Sequence, residues 1–135
     1  MRNISFSKTK EQFRARRKHV TRRLKWLNLK PGDQLMGCEK VQGIKKGELV
    51  RMGPITILEV NQEPLDEIFR RPIREIPEYI APKYGGFGSL CIKECTLEGF
   101  PHLTAVEFCA MFCEMNDCEP ETEITRILFD YWWIA

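Results

Sequence analysis

The sequence predicts a single mixed α+β domain in which two or three helices flank a middle part made mostly of β-strands. β-Branched and aliphatic residues, separated by turn residues, dominate residues 34–61. A helix-capping sequence begins at Thr104, and alternating apolar residues follow it near the end of the chain. The length of 135 residues, with 43% hydrophobic and 30% charged residues, suits one packed domain over residues 1–135 and excludes a disordered chain.

The first part of the chain is expected to alternate between strand and helix. Residues 2–6 form an opening strand. Thr9, with Gln12 three positions later, makes a capping box for a helix at about residues 10–17. Residues 19–23 are extended again.

Turn residues divide the middle of the chain into short strands. Pro31 and Gly32 mark a turn, and the glycine-flanked charged segment at residues 43–47 is typical of a hairpin connection. Pro64 opens a short helix at about residues 64–69. The strands between these points are expected at residues 34–41, 49–52 and 55–61.

Residues 70–96 show the least regular pattern of apolar and polar residues in the chain. They contain three prolines and the sequence Gly85-Gly86-Phe87-Gly88. We therefore expect an irregular insertion, and long loops of this kind are either functional lids or poorly ordered.

The C-terminal part carries the clearest local signal. Thr104 and Glu107 form a capping box, which predicts a helix that continues to about Met115. Phe108, Phe112 and Met115 then share one apolar stripe, which is typical of core packing. A closing strand is expected to place one set of side chains on a single face: Thr125, Ile127, Phe129, Tyr131 and Trp133.

The six cysteines are expected to be reduced and free of metal. Cys109 and Cys113 lie one helical turn apart, where small apolar residues pack in a core. Cys91 and Cys95, together with Cys109, Cys113 and Cys118, offer thiolates for zinc as the alternative, but their spacing is wider than in zinc knuckles. We predict no metal and no cofactor.

Positive charge is concentrated at the beginning of the chain. Residues 1–30 carry eleven Lys or Arg and one acidic residue, a net charge of +10, whereas residues 31–135 carry −8. Such clustering attracts phosphates and predicts RNA or a nucleotide as partner, although a solvated face is the alternative. The candidate nucleic-acid-binding residues are Arg16, Arg17, Lys18, Arg22, Arg23, Lys45 and Lys46.

The location is expected to be the cytoplasm. The first residues lack the apolar run of a signal peptide, and no stretch has the roughly 20 apolar residues that span a bilayer. A membrane partner is therefore not expected, and the oligomeric state stays open.

Four motifs follow one another along the chain. They are Lys18-His19-Val20-Thr21-Arg22-Arg23, Leu29-Lys30-Pro31-Gly32-Asp33, Glu98-Gly99-Phe100-Pro101 and Arg126-Ile127-Leu128-Phe129. In this order they resemble the ASCH domain, and most closely the ASCH-like proteins of phages and prophages. The resemblance spans nearly the whole chain.

The resemblance implies a PUA-like fold, a mixed β-barrel flanked by two or three helices, with a basic cleft for RNA or a modified nucleotide. Some small ASCH proteins are amidohydrolases that deacylate acetylcytidine with a Lys, a Thr three residues later and a distant Glu. These positions match Lys18, Thr21 and Glu98, which are the candidate catalytic residues. A lysine beside other cations has a lowered pKa and can act as a base.

Other functions remain as alternatives. The same three residues serve equally well in simple binding, with Lys18 on a phosphate and Glu98 at a helix N-terminus. His19 and His102 offer an acid-base pair for a ribonuclease. An interaction-only module is the remaining hypothesis. The insertion at residues 70–96 is absent from the compact amidohydrolases and is expected to reshape the pocket.

Overall fold

The protein has an α+β fold, which is seen in a computed structural model that describes residues 1–86, 88 and 90–132. The strands are β1 (Arg2–Ser5), β2 (Val20–Arg23), β3 (Gln34–Cys38), β4 (Arg51–Pro64), β5 (Ile73–Ile76), β6 (Leu90–Lys93) and β7 (Glu123–Tyr131). The helices are α1 (Lys10–Arg14), α2 (Glu67–Arg70), α3 (Glu94–Leu97) and α4 (Ala105–Asn116), with a 3₁₀ helix at Ala81–Tyr84.

A curved, half-barrel sheet forms the body of the described residues. Its five strands follow the order β1-β3-β4-β7-β2, in which β1 is parallel to β3 and the other neighbours are antiparallel. The register shifts between Ile57 and Glu59 where β4 pairs with β7. Such an irregularity bends a strand and increases its twist, which helps the sheet to curl.

Aromatic residues fill the concave side of this sheet. Phe6 and Phe13 stack with ring centroids 4.5 Å apart, and Phe129 and Tyr131 pack against them. Gly37 on β3 makes room for Phe13, because a Cβ atom there would lie 2.2 Å from the ring. The packing therefore fixes α1 against β3, beside the segment that leads into β2.

The segment at residues 70–96 is more regular than the irregular insertion that the sequence predicts. β5 and β6 pair as an antiparallel hairpin, with Ile73 opposite Lys93. Ile76, Ile80 and Leu97 then pack on Val20 and on the closing strand. Alternation in β5 is hard to recognise because it lasts only four residues, between two prolines.

The prediction for α4 is confirmed at both ends. Thr104 accepts a hydrogen bond from the Glu107 amide, and Glu107 accepts one from the Thr104 amide, so the capping box is complete. Phe108 and Phe112 are buried as expected, but Met115 is 51% exposed, so the apolar stripe is shorter than predicted. The closing strand is β7, and Trp133 lies outside the described residues.

The helices are short or amphipathic. Among the described residues, none is long and apolar enough to cross a membrane.

Candidate functional site

The backbone around Lys18 is fixed by a turn at residue 16 and by contacts with two other segments. Residue 16 adopts a left-handed conformation, with φ at 58°, which ends the helical part and turns the chain toward β2. The His19 amide then donates to the Leu97 carbonyl at 2.9 Å, and the Tyr131 hydroxyl donates to the Lys18 carbonyl. Lys18 is thus held in an irregular segment just before β2, with its side chain free to leave the strand direction.

Lys18 and Glu98 meet directly. The Lys18 ammonium donates to Glu98 Oε1 at 3.1 Å and also to the Glu98 backbone carbonyl. Both residues are 3% exposed, as is Thr21 on β2. The Thr21 hydroxyl accepts a hydrogen bond from Arg23 Nε at 2.9 Å. Lys18 and Glu98 therefore contact each other directly, whereas Thr21 is hydrogen-bonded to Arg23 and lines the same pocket.

These residues line a pocket of about 150 Å³, called here the Lys18 pocket. A set of charged residues in its lining, together with Thr21, is called here the floor, and the apolar residues of its lining are called the wall. The floor contains Lys18, Thr21, Arg22, Arg23 and Glu98, and Ser5, Ser7, Lys8 and Thr9 add a polar edge. The wall contains Phe6, Phe100, Phe108, Met111, Phe112 and Met115, with Asn116 beside them. A cavity near 150 Å³ accommodates about one six-membered ring.

Burial makes Lys18 an unusual lysine. Desolvation lowers its pKa to about 8, against the opposing attraction of Glu98 and with a further lowering by Arg23. Burial also lowers the pKa of Arg23, to about 10, so that this guanidinium still carries its charge at neutral pH. Lys18 thus changes protonation near physiological pH, whereas Arg23 does not.

Arg22 lies beneath the pocket in a buried ion-pair network. Its guanidinium donates to Glu98 Oε2 at 2.8 Å and to Glu94 Oε1 at 2.6 Å. Arg126 binds the same Glu94 carboxylate with two hydrogen bonds of 2.7 and 2.9 Å. Although burial alone raises the pKa of Glu94, the hydrogen bonds from Arg126 and the charge of Arg22 outweigh it and lower the pKa to about 2. Glu94 is therefore always ionised near neutral pH.

The hairpin of residues 70–96 joins this network from the side. Arg74 on β5 makes a two-pronged pair with Glu63 on β4, at 3.0 and 2.6 Å. Arg74 Nε also lies 3.6 Å from Glu94 Oε1. The inserted hairpin is thus tied electrostatically to the floor of the Lys18 pocket, although none of its described side chains lines that pocket.

The remaining predicted basic residues lie in different places. Arg17 is exposed beside a second cleft, and Arg16 is half-buried in the turn before β2. Lys45 and Lys46 lie in an exposed turn between β3 and β4 and do not line the Lys18 pocket. Of the predicted nucleic-acid-binding residues, the pocket therefore collects Lys18, Arg22 and Arg23.

The two histidines do not form a pair in this pocket. His19 is fully buried, with Nδ1 3.0 Å from the Phe129 carbonyl, and burial lowers its pKa. His102 is exposed and lines the second cleft. An acid-base pair for phosphodiester cleavage would need both imidazoles at one site.

The cysteines are all free thiols. Cys109 is buried in the core beside α2, whereas Cys113 and Cys118 are partly exposed near the C-terminal end of α4. Their freedom from zinc stays a prediction.

The sequence did not indicate the network of Glu63, Arg74, Glu94 and Arg126. Charged residues usually lie at the surface, and single Arg residues within short strands give no sign of burial. One usable signal of burial was the position of Arg126 inside the apolar run of β7. A central strand with apolar residues on both faces has no exposed face for an arginine. Buried arginines require carboxylate partners, so that position alone predicts a buried glutamate.

Comparison of the chain with models of known protein families, with curated proteins and with solved structures finds no match. Its own residues therefore carry any functional assignment.

Proposed function

We propose that the protein is an ASCH-like domain of PUA-like fold whose Lys18 pocket binds RNA or a modified nucleotide. The observation that carries this proposal is the composition of the pocket, whose lining combines the cations Lys18, Arg22 and Arg23 with aromatic and methionine side chains around a space the size of one ring. A nucleotide base is a flat ring with polar edges and an attached phosphate. The curved sheet and the flanking helices are compatible with such a fold.

The charge balance of the pocket favours an electron-rich ligand. Lys18, Arg22 and Arg23 line the floor with Glu98 as the carboxylate among the lining residues. Glu98 is shared between Lys18 and Arg22, so Arg23 lacks a carboxylate within hydrogen-bonding distance in the described structure. Arg23 is half-buried and donates to the Thr21 hydroxyl and the Ser5 carbonyl, and an anionic or carbonyl oxygen of a ligand would further offset the cost of removing its charge from water.

The apolar wall supplies the other half of base recognition. Met111 and Met115 on α4, together with Phe100, present polarisable sulfur and aromatic surface to the pocket. Bases stack on such surfaces largely irrespective of their identity. The proposed binding mode places one ring of the ligand against α4 and its polar edge on the Lys18 floor.

The binding proposal is tested by titrating the protein with labelled single-stranded RNA at several salt concentrations. We expect affinity to fall steeply with salt, because contacts with phosphates release counterions. Replacing the exposed Lys8 at the pocket edge by glutamine should reduce the slope of log K against log salt by about 1. The matched control is Arg71→Gln, which removes an exposed positive charge after α2. No binding at low salt, or equal losses in the two variants, would refute the proposal.

We propose acyl-cytidine hydrolysis as the second candidate, because the pKa of Lys18 is lowered to about 8 in contact with Glu98. Neutral Lys18 would take the proton of Thr21, whose oxygen then attacks the acyl carbon. The C–N bond breaks as the amine leaves with a proton, and water cleaves the resulting ester. Arg23, already bonded to Thr21, would orient the hydroxyl.

This activity is checked by measuring acetate release from acetylcytidine. Wild-type protein is expected to release acetate, and Lys18→Arg, Thr21→Ala and Glu98→Gln should each lose most of the rate, since residues that act as a unit are not additive. Arginine cannot replace lysine as a base because guanidinium stays protonated. Turnover that persists in all three variants, or none in the wild type, rejects the activity and leaves a binding pocket.

A further inference from the structure

A second cleft, called here the Arg17 cleft, lies outside the Lys18 pocket. Its volume is about 460 Å³, against about 150 Å³ for the Lys18 pocket. The two cavities share no lining residue. A volume of this size falls within the range of roughly 300–1,000 Å³ that is typical of small-ligand sites.

Three separate parts of the chain build the Arg17 cleft. Gln12 and Arg17 come from α1 and the turn that follows it, Lys83 and Tyr84 from the 3₁₀ helix, and His102 from the segment before α4. The 3₁₀ helix belongs to the inserted hairpin segment, so the cleft exists only because residues 70–96 are present. The insertion therefore forms part of this cleft, in addition to its ion pairs with the sheet.

The backbone of Arg17 is fixed at the edge of this cleft. The Arg17 amide donates to the Gln12 carbonyl at 2.9 Å, and the Tyr84 hydroxyl donates to the Arg17 carbonyl at 3.0 Å. Its guanidinium makes no hydrogen bond or ion pair with any residue that the structure describes. A guanidinium whose donors are all available is suited to two-pronged contact with a phosphate.

Lys83 provides the second cation. Its ammonium pairs with Asp130 at 2.9 Å and is 34% exposed. An ammonium has three donor protons, and Asp130 occupies one of them, so Lys83 keeps donors for a ligand while its position is held. Among the residues that the structure describes, no acidic side chain lines the cleft. The cleft therefore has the charge expected of an anion-binding site.

We propose that the Arg17 cleft binds the phosphate group of a nucleotide, with Arg17 and Lys83 on the phosphate and the Tyr84 ring beside the base. His102 and Gln12 supply further hydrogen-bonding groups at its edge. Phosphate recognition by paired cations next to an aromatic ring is the usual chemistry of nucleotide and single-strand binding. The inference does not depend on the occupant of the Lys18 pocket. The phosphate belongs either to a free nucleotide or to an RNA strand.

The test is an NMR titration of isotope-labelled full-length protein with uridine, uridine monophosphate and a short oligouridylate. Uridine monophosphate should shift the amide signals of Arg17, Lys83 and Tyr84, whereas uridine should shift them much less. Binding of oligouridylate tighter than that of the monophosphate identifies an RNA strand as the source, and equal binding identifies a free nucleotide. Both results support the site.

Variants separate this site from general attraction to positive charge. Arg17→Gln and Lys83→Gln should each weaken binding of uridine monophosphate about tenfold, because each removes a charge-assisted hydrogen bond. Arg71→Gln, which removes an exposed charge elsewhere, should change it less than about twofold. The inference is overturned by absence of binding, by shifts confined to the Lys18 pocket, or by equal losses in all three variants. Failure here with intact RNA binding at the Lys18 pocket leaves the proposed function standing.

Discussion

Replacing Glu94 with glutamine is expected to lower the free energy of unfolding by about 3–5 kcal/mol, because the change leaves buried arginines without their counter-charge. Glu94 is fully buried and accepts hydrogen bonds from Arg22 and Arg126. A loss of this size is a large fraction of the roughly 5–15 kcal/mol that stabilises a typical domain. Urea unfolding followed by circular dichroism measures it.

The matched control is Glu123→Gln, which removes an exposed carboxylate at the start of β7. Its effect should stay within about 0.5 kcal/mol. The free energy of unfolding measured at acidic pH provides a second readout. The folded pKa of Glu94, about 2, lies below its ordinary value of 4.5, so its contribution is complete above pH 4.5 and is lost as pH falls toward 2. A Glu94→Gln protein as stable as the control would show that the network contributes nothing.

The pH dependence at Lys18 is expected to separate binding from catalysis. With a folded pKa of about 8, Lys18 is charged below this pH and neutral above it. A ligand that requires the ammonium should bind about tenfold more weakly at pH 9 than at pH 7, since each pKa unit corresponds to a factor of ten. Hydrolysis with neutral Lys18 as base should instead become faster as pH rises through 8.

The two profiles are measured on the same samples, as RNA affinity and as acetate release from about pH 6 to about pH 9. Lys18→Arg is the informative variant, because its charge does not change over this range. It should flatten the affinity profile while keeping binding, and it should abolish hydrolysis. If both wild-type profiles are flat through pH 8, Lys18 takes part in neither process.

Lys18 titration also affects stability, and stability rises with pH as it does for Glu94, although here the folded state disfavours the charged form rather than favouring it. The folded pKa of about 8 lies below the ordinary value of 10.5, so folding opposes the charged form. Below pH 8 the folded protein bears the full cost of burying the ammonium. That cost is relieved as pH rises from 8 to 10.5, because the folded state then binds fewer protons than the unfolded state.

How far the sequence predicts this molecule depends on how local each signal is. The capping box at Thr104 and the apolar alternation of β7 act within a few residues, and both are found as predicted. The helix predicted for residues 10–17 ends early, at Arg14, because the chain turns at Arg16. The β5–β6 hairpin is missed because its pairing joins residues 14 to 20 positions apart across prolines and glycines.

The candidate site shows even more clearly that only local patterns can be predicted from the sequence. Lys18 and Glu98 are 80 residues apart in the chain, and only a resemblance to a known family suggested that they meet. The Lys and Arg residues of the first 30 positions suggested one charged surface. In the structure they are distributed among a buried network, the Lys18 pocket and the Arg17 cleft. Arg22 is buried at the floor of the Lys18 pocket, whereas Arg17 lies at the surface beside the Arg17 cleft, although only five positions separate them. Charge counting cannot distinguish a buried guanidinium from a solvated one.

The pairing of β2 with β7 has a consequence for the order in which the chain folds. Arg22 lies directly opposite Arg126 in that register, and like charges facing each other across strands repel. Both guanidinium groups contact the same oxygen of Glu94, which comes from α3. Pairing of these two strands without α3 would bring two guanidinium groups together at a site from which water is excluded. We therefore expect the formation of this strand pair to be coupled to the docking of α3, which supplies the carboxylate between the two guanidinium groups.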